Sequence, residues 1–370
     1  MDNFFRILLF TLLISFQFGF AQTSSESLWN NVDEAQIVTV GERHIVPQLY
    51  RTIKLDVNGM KNFLLEAPIE FSDETKSKIV ILYLPMPDGS MQKFSIVESP
   101  IMAPELAAKY PEIKTYLGKG IDDPYASVRF DFTMHGFHAM ILSPDGNVFI
   151  DPYSLGDTQN YISYYTRDYI NSTKSFECEV LSDESRINEL NYLKGNQILT
   201  PTGPQLRTYR VAVAATGEYT AFFGGTVPQS LAAVVTSVNR VNGVYEKEVA
   251  VRMVLVANND TLIFTNASTD PYTNNDGGAM LAQNQTTVDA RIGSANYDFG
   301  HVFSTGGGGV AYLGVICVAG LKARGVTGSG APVGDPFDID YVAHEMGHQF
   351  AGNHSFNGSA GACSGGNRNA

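Results

Sequence analysis

Three observations predict an α+β chain in two folded parts, a β-rich first half and a mixed second half. Residues 22–170 carry short alternating runs, such as 78–84 and 128–132, between "PDG" turns at 87–89 and 144–146, the pattern of an antiparallel β domain. From Leu206 the texture changes to strand, helix and strand in succession. Between the two, residues 171–205 lose their periodicity and run out in "TPTGPQ", which reads as a linker. A length of 370 residues with 44% hydrophobic and 11% aromatic content is enough to fill two cores.

Taken in order, residues 1–21 combine an Arg6-bearing start, an apolar run over 7–20 and small residues Gly19 and Ala21. This is the layout of a secretory signal peptide, so export is expected. The run falls short of the ~18–20 apolar residues of a spanning helix, so no membrane role beyond export is expected. In the second half, residues 206–216 read as a strand, and 227–245 as a helix with Leu231, Val234, Val235, Val238 and Val241 at helical spacing. A nearly continuous apolar run at 249–257 reads as a second strand, 279–292 as a second helix, and 299–303 and 310–315 as short strands. A loop rich in Gly, Pro and Asp then leads to "HEMGHQFAGNH", which holds three of the seven histidines.

The net charge is −13, carried mainly by the first half. Such a balance repels phosphate backbones and anionic lipid, which argues against nucleic-acid and membrane-surface partners. There are three cysteines, Cys178, Cys317 and Cys363. An odd number in an exported chain means a free thiol, an intermolecular bond or a partner outside this sequence.

The histidine segment carries the chemistry. Asp338 or Asp340 can cap a helix beginning near Ile339, and Ile339, Val342, Met346 and Phe350 then share one core-facing stripe. His344 and His348, one turn apart on another face, can aim ring nitrogens at one ion. Gly352 can take the left-handed conformation that ends a helix and return His354 as third ligand. Three protein ligands leave a position for water, whose pKa a zinc ion lowers, and Glu345 stands beside it as a base. A helix with satisfied histidines or a closed structural site are the plainer alternatives; a closed site lacks a fourth ligand at ligand spacing unless Cys363 supplies it.

This segment resembles H-E-x-x-H-x-x-G-x-x-H, the extended zinc motif of the metzincin metallopeptidases. With "GGGGVAYLGVICVAG", "ARGVTGS" and "DIDYVAHEMGHQF", residues 206–370 resemble secreted bacterial relatives of the reprolysin (adamalysin) family. The resemblance implies a mixed five-stranded sheet with an active-site helix, and endopeptidase activity on extended polypeptide. It implies that His344, His348 and His354 bind zinc, that Glu345 is the general base, and that Gly308, Gly309, Val310, Ala311 and Tyr312 form an edge strand that pairs with substrate. A flexible turn is the plain reading of those glycines.

Two positions depart from the family pattern. Ala351 stands where the family has Gly, so either the helix runs one residue longer or the turn is reshaped. The chain reaches Ala370 without the methionine turn of the family, so the catalytic domain is expected to be C-terminally truncated in this sequence, with a partner for Cys317 lying further on.

A β domain joined by a linker to a peptidase resembles a prodomain, and Cys178 is then a candidate latency thiol for the open metal position, against the plainer reading of a buried or disulfide-bonded cysteine. His44, His135, His138 and His301 lack ligand spacing and read as structural or exposed. The stretch 258–278 offers oxygen ligands for calcium but lacks EF-hand spacing and reads as a solvated loop. An adhesive or scaffold protein that keeps a zinc site without turnover is the rival function; it has no need of Glu345.

Overall fold

The computed structural model describes residues 25–169, 178–181 and 205–354. Residues 1–21, read as a signal peptide, most of 171–205, read as a linker, and Cys363 lie outside the described residues. No helix among the described residues is long and apolar enough to cross a membrane.

The alternating runs of the first half form one antiparallel sheet of nine strands: β1 (Trp29–Asn31), β2 (Arg51–Leu55), β3 (Val80–Pro85), β4 (Met91–Glu98), β5 (Lys114–Gly120), β6 (Ser127–Thr133), β7 (Gly136–Leu142), β8 (Val148–Pro152) and β9 (Asn160–Tyr165). Their order is β1-β2-β9-β8-β7-β6-β5-β4-β3. The sheet curls until its two ends meet. Ser25, just ahead of β1, donates to the Ile81 carbonyl of β3 and accepts from Tyr83 N–H, while Arg51 of β2 donates to the carbonyls of Met86 and Ser90. Phe94, Val128, Phe130, Phe137, Ile141 and Tyr161 fill the interior.

The second half builds a mixed sheet from β11 (Arg207–Ala215), β12 (Val251–Leu255), β13 (Phe299–Ser304), β14 (Gly308–Tyr312) and β15 (Gly325–Gly328). Four of these were read from the sequence, β15 completes the five that the resemblance implies, and the sheet has six. The added strand, β10 (Cys178–Leu181), comes from the segment read as a linker, and the order is β10-β14-β15-β13-β11-β12. The linker reading of 171–205 is corrected over these four residues: a short strand has no room to show periodicity, and its partner is more than a hundred residues away.

Alternation along the strands sorts two cores. Val211, Val213, Ala215, Phe299 and Phe303 face the long helix Val227–Val249 and the histidine helix. Ala212, Ala214, Val302, Val310 and Val326 face the helix Gly277–Arg291.

The halves share a core. Ile101, Met102, Leu106 and Ile113 of the first half pack into the cluster that holds Val238, Val251, Met253 and Met346. Around them, the long helix meets β6 through a buried ion pair. Arg129 of β6 pairs with Glu246, and Arg252 of β12 pairs with both Glu246 and Glu70. Residues from the first part of the chain also lie on both edges of the second sheet. The N–H of Leu255 in β12 donates to Ile101 and its carbonyl accepts from Ala103, while β10 runs parallel to β14.

Candidate metal centre

The segment ahead of the first histidine is not the capped helix expected. A short helix, Gly334–Phe337, passes directly into a π turn, Asp338–Ala343, and then into the helix His344–Gln349. Asp338 does not cap: it is buried and accepts from Arg240 and Ser237 of the long helix. Asp340 is exposed and caps nothing either. A buried ion pair outweighs a cap here, since an N-cap contributes ~1 kcal/mol whereas an unpaired buried charge costs several. Val342 and Met346 are fully buried in the shared core with Phe350 against them, as the apolar stripe predicts. Ile339 turns instead to the cluster around Phe149 and Tyr164 of the first sheet.

The helix ends at Ala351, which takes φ 70°, with Gly352 N–H bonded to the Gly347 carbonyl and Ala351 N–H to that of His348. This is the Schellman pair of bonds, with alanine at the left-handed position. The expectation that Gly352 would supply that conformation is therefore corrected; the turn is set one residue earlier and Gly352 is simply exposed. Left-handed alanine costs ~1–2 kcal/mol, partly offset by the backbone entropy that glycine would lose on folding. Ala351→Gly should raise stability by up to about 1 kcal/mol, read in a thermal or denaturant melt. A lower midpoint would show that the turn is not strained.

The reversal brings the three histidines together. Their Nε2 atoms lie 3.0 Å (His344 to His348), 3.1 Å (His348 to His354) and 3.1 Å (His344 to His354) apart. A tetrahedral ion with Zn–N bonds of ~2.0–2.1 Å spaces its nitrogens about 3.3 Å apart, so these rings need only a small movement to fit one. His348 Nδ1 lies 2.6 Å from the Gly352 carbonyl, which fixes the proton on that nitrogen and leaves the Nε2 lone pair for a metal. Burial, with the neighbouring imidazoles, lowers His344 to a pKa of about 4; burial also lowers His348 to about 4. Both are neutral at physiological pH, the form in which imidazole binds a metal. Among the described residues no other three His, Cys, Asp or Glu side chains bring ligand atoms together in this way.

Glu345 is fully buried against β14, and a Cβ placed on Gly309 would lie 2.3 Å from its Oε1. Glycine at 309 is therefore the clearance that lets the carboxylate sit under the strand. Gly308–Tyr312 is a strand and not a loose turn, antiparallel to β15 on one side and parallel to β10 on the other. The pairing sets the backbone of Cys178 opposite Gly309. The helix end is tied to the segment after β14, where Gly314 and Val315 N–H groups donate to the carbonyls of His348 and Gln349.

Sequence reasoning left His301 as structural, and its place is specific. It is fully buried in β13, with Nδ1 2.9 Å from Oε1 of Gln349 on the histidine helix and Nε2 2.8 Å from the Thr327 hydroxyl, while Gln349 also donates to the Gly300 carbonyl. Burial lowers His301 to a pKa of about 4, so a neutral ring locks the helix to the centre of the sheet. His135 and His138 face the long helix from the first sheet, bonding to the Gln229 carbonyl and to Asp131, and His44 packs on Phe222. In the stretch 258–278, Asp270 and Asp276 accept from the N–H groups of Gly217 and Ala279. Cys317 is exposed, and among the described residues it has no disulfide partner.

Residues 205–369 match the family described as Metallo-peptidase family M12B Reprolysin-like. This part of the chain is similar to the reprolysin-like metallopeptidases. Among solved structures, that of metalloproteinase-II from Bacteroides fragilis is similar at 12% identity and a TM-score of 0.39, covering 79% of this chain and 87% of that one. No curated protein matches the chain. The histidine triad can hold a metal, and the similarity to that family implies that the metal is zinc.

Proposed function

We propose that the chain is the precursor of a secreted zinc endopeptidase, on the convergence of three imidazoles beside a buried glutamate under a sheet strand. His344, His348 and His354 would hold the zinc. When bound, zinc supplies a Lewis acid that polarises a peptide carbonyl and makes water acidic enough to attack. Glu345 accepts the proton of the attacking water and returns it to the leaving amine. Gly308, Gly309, Val310, Ala311 and Tyr312 offer a row of backbone groups to which an extended polypeptide can add as a strand.

In the precursor that row is already paired with Cys178–Leu181, and in parallel polarity. This supports reading the first half as a prodomain: a chain's own strand on the substrate edge keeps peptide out until residues between the halves are cut. The register also supports Cys178 as a latency thiol, because its backbone lies across from the residue that packs on Glu345. A Cys178→Ala precursor should then show activity that the parent lacks; one as silent as the parent leaves latency to strand pairing alone.

The processed protein should cleave casein and lose that activity to 1,10-phenanthroline, with restoration by added zinc. Cleavage indifferent to the chelator would end the proposal.

A further inference from the structure

The long helix carries one charge deep in the molecule. Arg240 is 1% exposed, and its guanidinium forks between two carboxylates. Nη1 donates to Asp338 Oδ2 at 2.9 Å, and Nη2 donates to Asp151 Oδ1. Asp338 opens the π turn, six residues ahead of His344, and accepts a second bond from Ser237 one turn back on the long helix. Asp151 belongs to β8 of the first sheet and accepts from the Tyr164 hydroxyl at 3.0 Å through its other oxygen. The ring of Phe149 lies 5.0 Å from the guanidinium carbon. At the far end of the π turn, Tyr245 donates to the Ala343 carbonyl at 2.7 Å, directly before His344.

A π turn is rare and is not held by its own hydrogen bonding as well as an α turn is; where one persists, its surroundings specify it. Here the long helix specifies it at both ends. The start of the turn fixes how far the chain is wound when His344 leaves it, so a change at Asp338 re-aims the first imidazole and the carboxylate after it. Arginine suits this post, because its planar fork holds two carboxylates at a set angle and stays charged when buried.

We propose that Arg240 is a positioning residue of the metal centre: through Asp338 it sets the π turn that aims His344 and Glu345, and Asp151 of the first sheet anchors the same guanidinium. The inference rests on the metal-binding reading above. It makes the first sheet a support for the metal helix.

The test uses the full chain with Zn2+ measured by chelator competition and Co2+ as a spectroscopic probe of ligand geometry. Asp338→Asn keeps the shape and removes the charge, and Ser237→Ala removes one bond to the same carboxylate. Asp338→Asn should weaken Zn2+ binding about 10-fold or more and alter the visible Co2+ bands, the scale seen when a group supporting a metal ligand is lost. Ser237→Ala should shift both in the same sense by less, and Asp151→Asn likewise.

Glu246→Ala, which destabilises the molecule elsewhere, should leave the Co2+ spectrum unchanged and so separates positioning from general stability. If Asp338→Asn does not fold, Ser237→Ala decides. Wild-type affinity and spectrum in these variants would overturn the positioning role alone. A parent chain that binds no Zn2+ would overturn the metal reading and this inference together.

Discussion

Glu345→Gln should lower peptidase activity by roughly 10²–10⁴-fold while leaving metal content unchanged, the range for loss of a general base. The amide fills the same space, and the three imidazoles do not depend on its charge. What is lost is the ability to take a proton from water within a pocket closed over by β14. Gly309→Ala should approach the same loss by another route, because its methyl group meets the carboxylate at 2.3 Å and one of the two must move. The measurement is kcat/KM on a quenched peptide alongside zinc content. A Glu345→Gln enzyme retaining more than about a tenth of its activity would remove the glutamate from the chemistry.

The largest effect on stability is expected at Glu246. Its Oε1 accepts from Arg129 of the first sheet and from Arg252 of β12, both at 2.5 Å. Burial pulls the Arg129 pKa down, and Glu246 is the main group opposing that. Removing the carboxylate leaves Arg129 buried beside another guanidinium, hydrogen-bonded to the neutral Ser99 and Asn239, with Glu70 the remaining nearby carboxylate. Breaking a buried pair in this way costs about 3–5 kcal/mol. For a chain of this size the thermal midpoint of Glu246→Ala should fall on the order of 5–10 °C. A shift of a degree or less would mean that water reaches the arginines.

The sequence made the cores and the triad legible for different reasons. Apolar spacing in the helix Val227–Val249 and alternation along β3 and β4 report burial directly, because each follows the period of its element. The triad could be read because two of its ligands are one turn apart and the third follows a short reversal, so local geometry suffices. The π turn was not legible, since Asp338 resembles a cap until Arg240 and Ser237 are known to face it.

Strand β10 was hidden in a polar segment whose partner is remote. The ion clusters had a signal that could have been used. Arg129 and Asp131 interrupt the buried run of β6, Arg240 an apolar face of the long helix and Arg252 the strand VRMVL, and a charge in such a run must find a partner.

Strand β12 at one edge of the second sheet, and β14 beneath the edge strand β10 at the other, are both engaged by residues from earlier in the chain. Detaching those residues would bare two rows of backbone donors and acceptors, the template on which other copies can stack into fibrils. Maturation would then trade colloidal solubility for access, and the ripened form should keep best when dilute or when its groove is filled by a peptide.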